Sequence, residues 1–383
     1  MSPRRPLPLL TLVTVLTSLR SSHSTCDFPQ DDAGWTARNI RGLFVFGSSL
    51  VDNGNNNDLL TLAKANYTPY GIDFPLGPSG RFTNGKNIVD LLGEYLGVPS
   101  FIPPFAKVSQ EGGGGGSGEE AVNGVDYASG GSGILDDTGL VAGRVTSLNQ
   151  QIKNFETVTL PQLENRVGCK SAELLANYMF VVGTGGNDYT LNYFLFGSNR
   201  NVSLQLFTAN LTASLSLQLE RLHGLGGRKF VLMSVYPIGC TPMATRRKGS
   251  NSSRGCVEYL NRAAQMFNTG IRSATDELNG KLPGARFIVV NTYKIVRDII
   301  ARPHSMGFNN TDSPCCEVKP VSEGGDGALC VRGGKTCEDR GVYVYFDGSH
   351  PTEAVNVHMA TKAFSSCRPA EVYPFNVSRL SQL

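Results

Sequence analysis

The chain has 383 residues, with 35 basic and 32 acidic side chains for a formal charge of +3, and 40% of it is apolar. So small a net charge excludes a partner recognised by bulk positive charge, such as a nucleic acid, while the length supports one large or two ordinary domains with a buried core. At 9% aromatic and 17% charged residues, the composition is that of an ordinary globular protein.

In chain order, residues 1–25 read as a secretory signal peptide. Arg4 and Arg5 form a basic start, an apolar stretch runs from Leu7 to Leu19, and small polar residues follow Arg20. That stretch is short for a membrane span, and no other run reaches the ~18 apolar residues a spanning helix needs. Residues 26–383 are then expected to form a single soluble α/β domain, secreted to the extracellular space.

Five short runs in that domain predict strands. Leu43-Phe44-Val45-Phe46 precedes Gly47, and a weaker run at 122–128 precedes Ser129-Gly130-Gly131. Residues 178–182 precede Gly183-Thr184-Gly185-Gly186-Asn187-Asp188, residues 229–235 lead into Tyr236-Pro237, and Phe287-Ile288-Val289-Val290 precedes Asn291. Four of the five are nearly all apolar, as strands covered on both faces are, and each stops at turn-forming residues. Helical spacing marks Ile88, Leu91, Leu92 and Tyr95 with Gly97 as a stop, then 204–222 with Gly224 as a stop, then 256–278. Alternating buried strands and helices predict a parallel sheet covered on both sides. The run of five glycines at 112–116 is read as a surface loop, and Arg246-Arg247-Lys248 as a solvated one.

Two features agree with export. Six N-x-S/T triplets begin at Asn66, Asn201, Asn210, Asn251, Asn309 and Asn376, which predicts that several carry glycans. Nine cysteines stand at 26, 169, 240, 256, 315, 316, 330, 337 and 367 without a C-x-x-C pair, so disulfides are expected and zinc is not. With Cys26 at the cleavage edge, eight can pair, in an order spacing does not fix.

In open parallel sheets the binding groups sit at the carboxyl ends of strands. Three such ends carry Ser48-Ser49, Ser129-Gly130 and Asn187-Asp188, and a late loop adds Asp347-Gly348-Ser349-His350. Singly, each has a plainer reading: a cap serine, a turn glycine, an Asx turn, a surface loop. Asp347-x-x-His350 also permits a carboxylate to hold its own histidine's Nδ1–H, leaving Nε2 free to deprotonate a hydroxyl. His304 and His358 have no acid three positions before them. The G-x-S-x-G elbow of α/β-hydrolases does not occur, nor does a zinc-binding H-E-x-x-H, and no metal or other cofactor is expected.

Phe44-Val45-Phe46-Gly47-Ser48-Ser49-Leu50-Val51-Asp52-Asn53-Gly54-Asn55-Asn56-Asn57 resembles the opening block of the plant GDSL-type esterases and lipases. Asp126-Tyr127-Ala128-Ser129-Gly130-Gly131-Ser132-Gly133-Ile134, Gly185-Gly186-Asn187-Asp188-Tyr189, Pro237-Ile238-Gly239-Cys240-Thr241-Pro242 and Phe346-Asp347-Gly348-Ser349-His350-Pro351-Thr352-Glu353 resemble the later blocks, in the family's order. The resemblance spans about residues 40 to 365. It implies an SGNH-hydrolase fold, a flavodoxin-like three-layer α/β/α sandwich around a parallel sheet of about five strands. It implies Ser49 as nucleophile, His350 as general base and Asp347 as the acid orienting it. The oxyanion hole falls to the N–H groups of Ser49 and Gly130 and the amide of Asn187. It further implies a monomer in the apoplast or cell wall, acting on an acyl ester: lipid, acetylated glycan or phenolic ester.

Three departures stand out. The family's Gly-Asp-Ser-Leu is Gly47-Ser48-Ser49-Leu50 here, with serine expected to replace part of the aspartate's local hydrogen bonding. Tyr345-Phe346 replaces an aromatic-tryptophan pair, and Asp126 stands where asparagine is common. Two other functions therefore stay open beside hydrolysis: acyl transfer by the same residues, and a catalytically impaired binding or defence protein.

Overall fold

The computed structural model describes residues 40–111, 120–167, 171–196, 202–247 and 255–383. The expected signal peptide, Cys26, Cys169, Lys248, the five-glycine run and the triplets at Asn201 and Asn251 lie outside the described residues.

All five expected strands form: β1 (Gly42–Gly47), β2 (Gly124–Asp126), β3 (Tyr178–Gly183), β4 (Lys229–Met233) and β5 (Arg286–Val290). They pair in parallel in the order β2-β1-β3-β4-β5. Two later strands, β6 (Asn310–Pro314) and β7 (Tyr343–Tyr345), pair in a separate small sheet. A sixth strand, β8 (Val372–Tyr373), adds antiparallel to β5. It was not expected, since two residues carry no periodicity to read.

Successive side chains of a strand point to opposite faces, and here the two faces differ in kind. Phe44, Phe46, Phe180, Phe230 and Phe287 turn to one side, where helices Leu204–Gly224 and Glu258–Lys281 and the helical stretch from Leu148 to Val167 cover them. The Phe230 and Phe287 rings stack with centroids 4.3 Å apart. Leu43, Val45, Met179, Val181, Val231, Met233, Ile288 and Val290 turn to the other side, beneath helices Ile88–Tyr95, Thr292–Ala301, Glu353–Ser365 and Val377–Gln382. This is the expected three-layer α/β/α sandwich. Burial on both faces is why the strand sequences lack polar alternation.

Helix ends follow local chemistry. Asn87 caps Ile88–Tyr95, accepting from the Val89 and Asp90 N–H groups while Asp90 accepts from the Asn87 N–H in return. Gly97 follows with φ +73°. The expected stop Gly224 is instead the last residue of its helix. Disulfides join Cys240 to Cys256, Cys315 to Cys337 and Cys316 to Cys330, and Cys367 is also oxidised.

The same Asp90 meets Arg81 in a buried two-pronged pair, Nε to Oδ2 and Nη2 to Oδ1, both at 2.7 Å. The Phe74 ring lies over the guanidinium at 4.3 Å. Removing one partner of a buried pair strands the other charge. Asp90→Asn should therefore cost about 3–5 kcal/mol of folding free energy, measured by urea unfolding of the variant beside the wild type.

Candidate active site

β1 and β3 come so close at their carboxyl ends that a Cβ on Gly47 would lie 2.2 Å from the Gly183 carbonyl oxygen. With φ +147°, Gly47 needs the absent side chain twice over. The turn beyond it is held by backbone bonds, Ser48 N–H to Gly183 O and Val51 N–H to Ser48 O, each 3.1 Å. Gln151 clamps Gly47 from the side, accepting its N–H and donating to its carbonyl, both at 2.8 Å. Neither arrangement uses the Ser48 hydroxyl, so serine is not standing in for an aspartate's hydrogen bonds at this turn. The result sets Ser49, partly exposed, on the carboxyl edge of the sheet.

Asp347 and His350 arrive from β7, which ends immediately before Phe346. Their loop closes on itself through Phe346 N–H to His350 O at 2.8 Å. It is tied outward by Met243 N–H to Gly348 O, Gly348 N–H to Ala328 O and the Tyr236 hydroxyl to Ser349 O. His350 Nδ1 meets Asp347 Oδ2 at 2.7 Å, and His350 Nε2 lies 2.8 Å from Ser49 Oγ. Residues 301 positions apart thus form one Ser–His–Asp chain. The Phe82 ring packs on the imidazole at 5.0 Å, and Ser49, Phe82, Thr83 and Pro351 line the crevice beside it.

The other expected residues gather at the neighbouring strand ends. Asn187 follows β3, and its side-chain amide donates to Ser132 O at 2.9 Å, which orients it and leaves a second hydrogen. Gly130 follows β2, but its N–H donates to Asp52 Oδ2 at 2.7 Å instead of facing a vacant oxyanion position. Gly130 was expected as a donor because sequence shows the glycine and not the carboxylate that takes its N–H.

Three buried acids do this tying. Asp52 also accepts from the Gly54 and Asn55 N–H groups. Asp126 accepts from Asn53 and Ala128, and Asp188 from Ile134, Leu135 and the Thr138 hydroxyl. Burial pushes the Asp52 carboxyl up to about 6, against the pull of those N–H groups and of Arg81. Burial raises Asp188 to about 6 as well. Asp126 goes well above the usual carboxylate range, through burial first and then the nearby charge of Asp52.

A serine-histidine-aspartate chain at the carboxyl edge of a parallel sheet is an arrangement suited to ester chemistry. The family model for GDSL-like lipase/acylhydrolase matches residues 43–363. GDSL esterase/lipase At1g29670 of Arabidopsis thaliana is 40% identical over 345 residues, covering 89% of this chain and 91% of the relative. GDSL esterase/lipase At1g33811 of the same plant is 36% identical, covering 98% and 99%. Among solved structures, a catalytic mutant of Axe2, an acetylxylan esterase from Geobacillus stearothermophilus, is a remote likeness: TM-score 0.36 and 12% identity, covering 84% of this chain and 90% of that one. The chain belongs to the GDSL esterase/lipase family and is a carboxylic ester hydrolase.

The Asp52–Asp126 acid pair near Ser49 makes stability depend on pH with a definite sign. In the unfolded chain both carboxyls ionise near 3.9. The folded molecule keeps their protons to higher pH, so this contribution is full below about pH 4 and is lost as pH rises through about 6 and beyond. Asp126→Asn, which cannot ionise, should flatten the fall of melting temperature above pH 6, read by calorimetry across a pH series.

Proposed function

We propose that Ser49 attacks the ester carbonyl while His350 Nε2 takes its proton, with Asp347 holding the imidazole in the tautomer that leaves Nε2 free. The 2.8 Å contact between His350 Nε2 and Ser49 Oγ, backed by the buried Asp347, carries this reading. The imidazolium then protonates the leaving alcohol, and water releases the acyl group from Ser49 by the same route. Charge developing on the carbonyl oxygen falls to the Ser49 N–H and the second amide hydrogen of Asn187. Gly130, expected to share that task, takes part in this reading by fixing the turn, with its N–H engaged by Asp52.

The substrate is an apolar acyl ester of the lipid type, in preference to an acetylated glycan or phenolic ester. Leu60, Leu62, Leu140 and Val141 are 55–80% exposed on two loops. An isolated bridge between Thr61 and Gly143 joins those loops. Asn56 links the same loops to the site, its amide donating to Ala63 O and Gly130 O, both at 2.8 Å. These side chains offer an apolar rim to an acyl chain.

The three disulfides and the basic-apolar start at residues 1–25 support secretion of residues 26–383 as one domain. Asn210 and Asn309 are exposed and suit glycosylation. Asn376 is buried, capping helix Val377–Gln382 and donating to Ser366 O, and is left unmodified in this reading.

A fluorophosphonate probe should label the wild type and not Ser49→Ala. If labelling persists in Ser49→Ala, another serine is the nucleophile. Asn187→Ala should lower kcat about 100- to 1,000-fold, and p-nitrophenyl esters of increasing chain length should be cleaved better than acetylated xylan.

A further inference from the structure

We infer that Tyr70 is a positioning residue for this site: its hydroxyl shares Asp347 Oδ2 with His350 and so sets how tightly the acid holds the imidazolium. The inference rests on the triad reading above. The Tyr70 hydroxyl donates to Oδ2 at 2.6 Å, and His350 Nδ1 reaches the same oxygen at 2.7 Å. The other oxygen, Oδ1, takes the N–H groups of Ser349 and His350, both at 2.7 Å, and lies farther from His350 Nδ1, at 3.0 Å. Two donors on one oxygen divide its electron density, so each weakens the hold on the other.

The phenol stays a donor throughout the working range. Burial, and then the charge of Asp347, push its hydroxyl well above the ordinary tyrosine value. The groups facing Asp347 are otherwise His350 itself and two further phenols, Tyr67 and Tyr236, with Arg332 lying over the Tyr67 ring and Asp326 beyond it. Tyr236 spends its hydroxyl on Ser349 O, and Tyr67 on Cys330 O. Tyr70 is thus the phenol that touches the acid.

Its position is set by a closed ring of contacts. The Cys330 N–H donates to the Tyr70 hydroxyl at 3.1 Å. Cys330 is bonded to Cys316, whose N–H donates to Phe346 O at 2.8 Å, and Phe346 precedes Asp347. The Tyr70 ring packs edge-on against Phe346 and Phe82, and Phe82 covers His350. A tyrosine held only for packing would need none of this at its hydroxyl.

The test follows the rate of fluorophosphonate labelling at Ser49 as a function of pH, which needs no knowledge of the natural ester. Loss of the hydroxyl in Tyr70→Phe leaves the acid holding the imidazolium more tightly. The acid limb of the profile should move to higher pH by up to about one unit, so that labelling below the midpoint falls about tenfold. Replacing Tyr70 site-specifically by 3-fluorotyrosine, a stronger donor of nearly the same shape, should move the limb to lower pH. That second replacement answers the question even where the phenylalanine variant folds badly. A limb unmoved in both, or moved the same way in both, overturns the inference, as does a uniform loss of rate with the wild-type midpoint. Wild-type protein that takes up no probe overturns the triad reading and this inference with it. Where labelling is lost only in Ser49→Ala the triad stands, and the direction in which the limb moves then decides the role of Tyr70.

Discussion

A carboxyl group removed from water must be given hydrogen-bond donors by the protein, and Asp347 is fully buried. Its two oxygens are met by the Tyr70 hydroxyl, the Ser349 and His350 N–H groups and the His350 imidazole. Much of the molecule outside the main sheet answers that one need. The tight loop folds back to supply its own N–H groups. The segment bearing Tyr70 crosses over to supply a phenol. The satellite core of Tyr70, Phe82, Cys315, Cys316, Cys330 and Phe346 keeps water away from all of it. The pair of disulfides in that core braces β6 and β7, the small sheet that delivers the acid.

The Ser49 side uses the same physics in reverse. There the acids do the reaching and the backbone is what they hold. Asp126 accepts from Asn53 in the first block, Asp52 from Gly130 in the second, and Asp188 from Ile134 and Leu135 at the second block's end. The second block also admits no side chain where Asp188 enters, since a Cβ on Gly133 would fall 2.5 Å from its carboxyl oxygens. Segments separated by 50 to 80 positions are thereby fixed to one another by a few carboxyl groups.

Much of this was legible in the sequence, for reasons that differ from residue to residue. Leu43-Phe44-Val45-Phe46 and Phe287-Ile288-Val289-Val290 announce themselves because both faces of their strands are covered. Asp347 and His350 are legible because their contact is local. Ser49 was placed beside them by resemblance, not by any spacing. Tyr70 was missed because its partner lies 277 positions away and a lone tyrosine carries no pattern. The engagement of the Gly130 N–H depends on where the Asp52 carboxyl points, which composition cannot show. Helix Thr292–Ala301 had a readable signal that went unused: Asn291 as its cap, then Ile295, Val296 and Ile299 on one face.

The antiparallel strand β8 bears on how the chain reaches its folded state. The free side of β5 is a row of backbone groups that any other extended chain could pair with, and residues 372 and 373 occupy it. Tyr373 is anchored by its hydroxyl to Asp276 and by its ring beneath Arg272, both on the helix that precedes β5. These residues emerge from the ribosome only after all five parallel strands have done so. Until they do, a nascent chain with five strands already aligned exposes an adhesive border. The protein's solubility during its own synthesis therefore leans on a two-residue strand made after the sheet it borders.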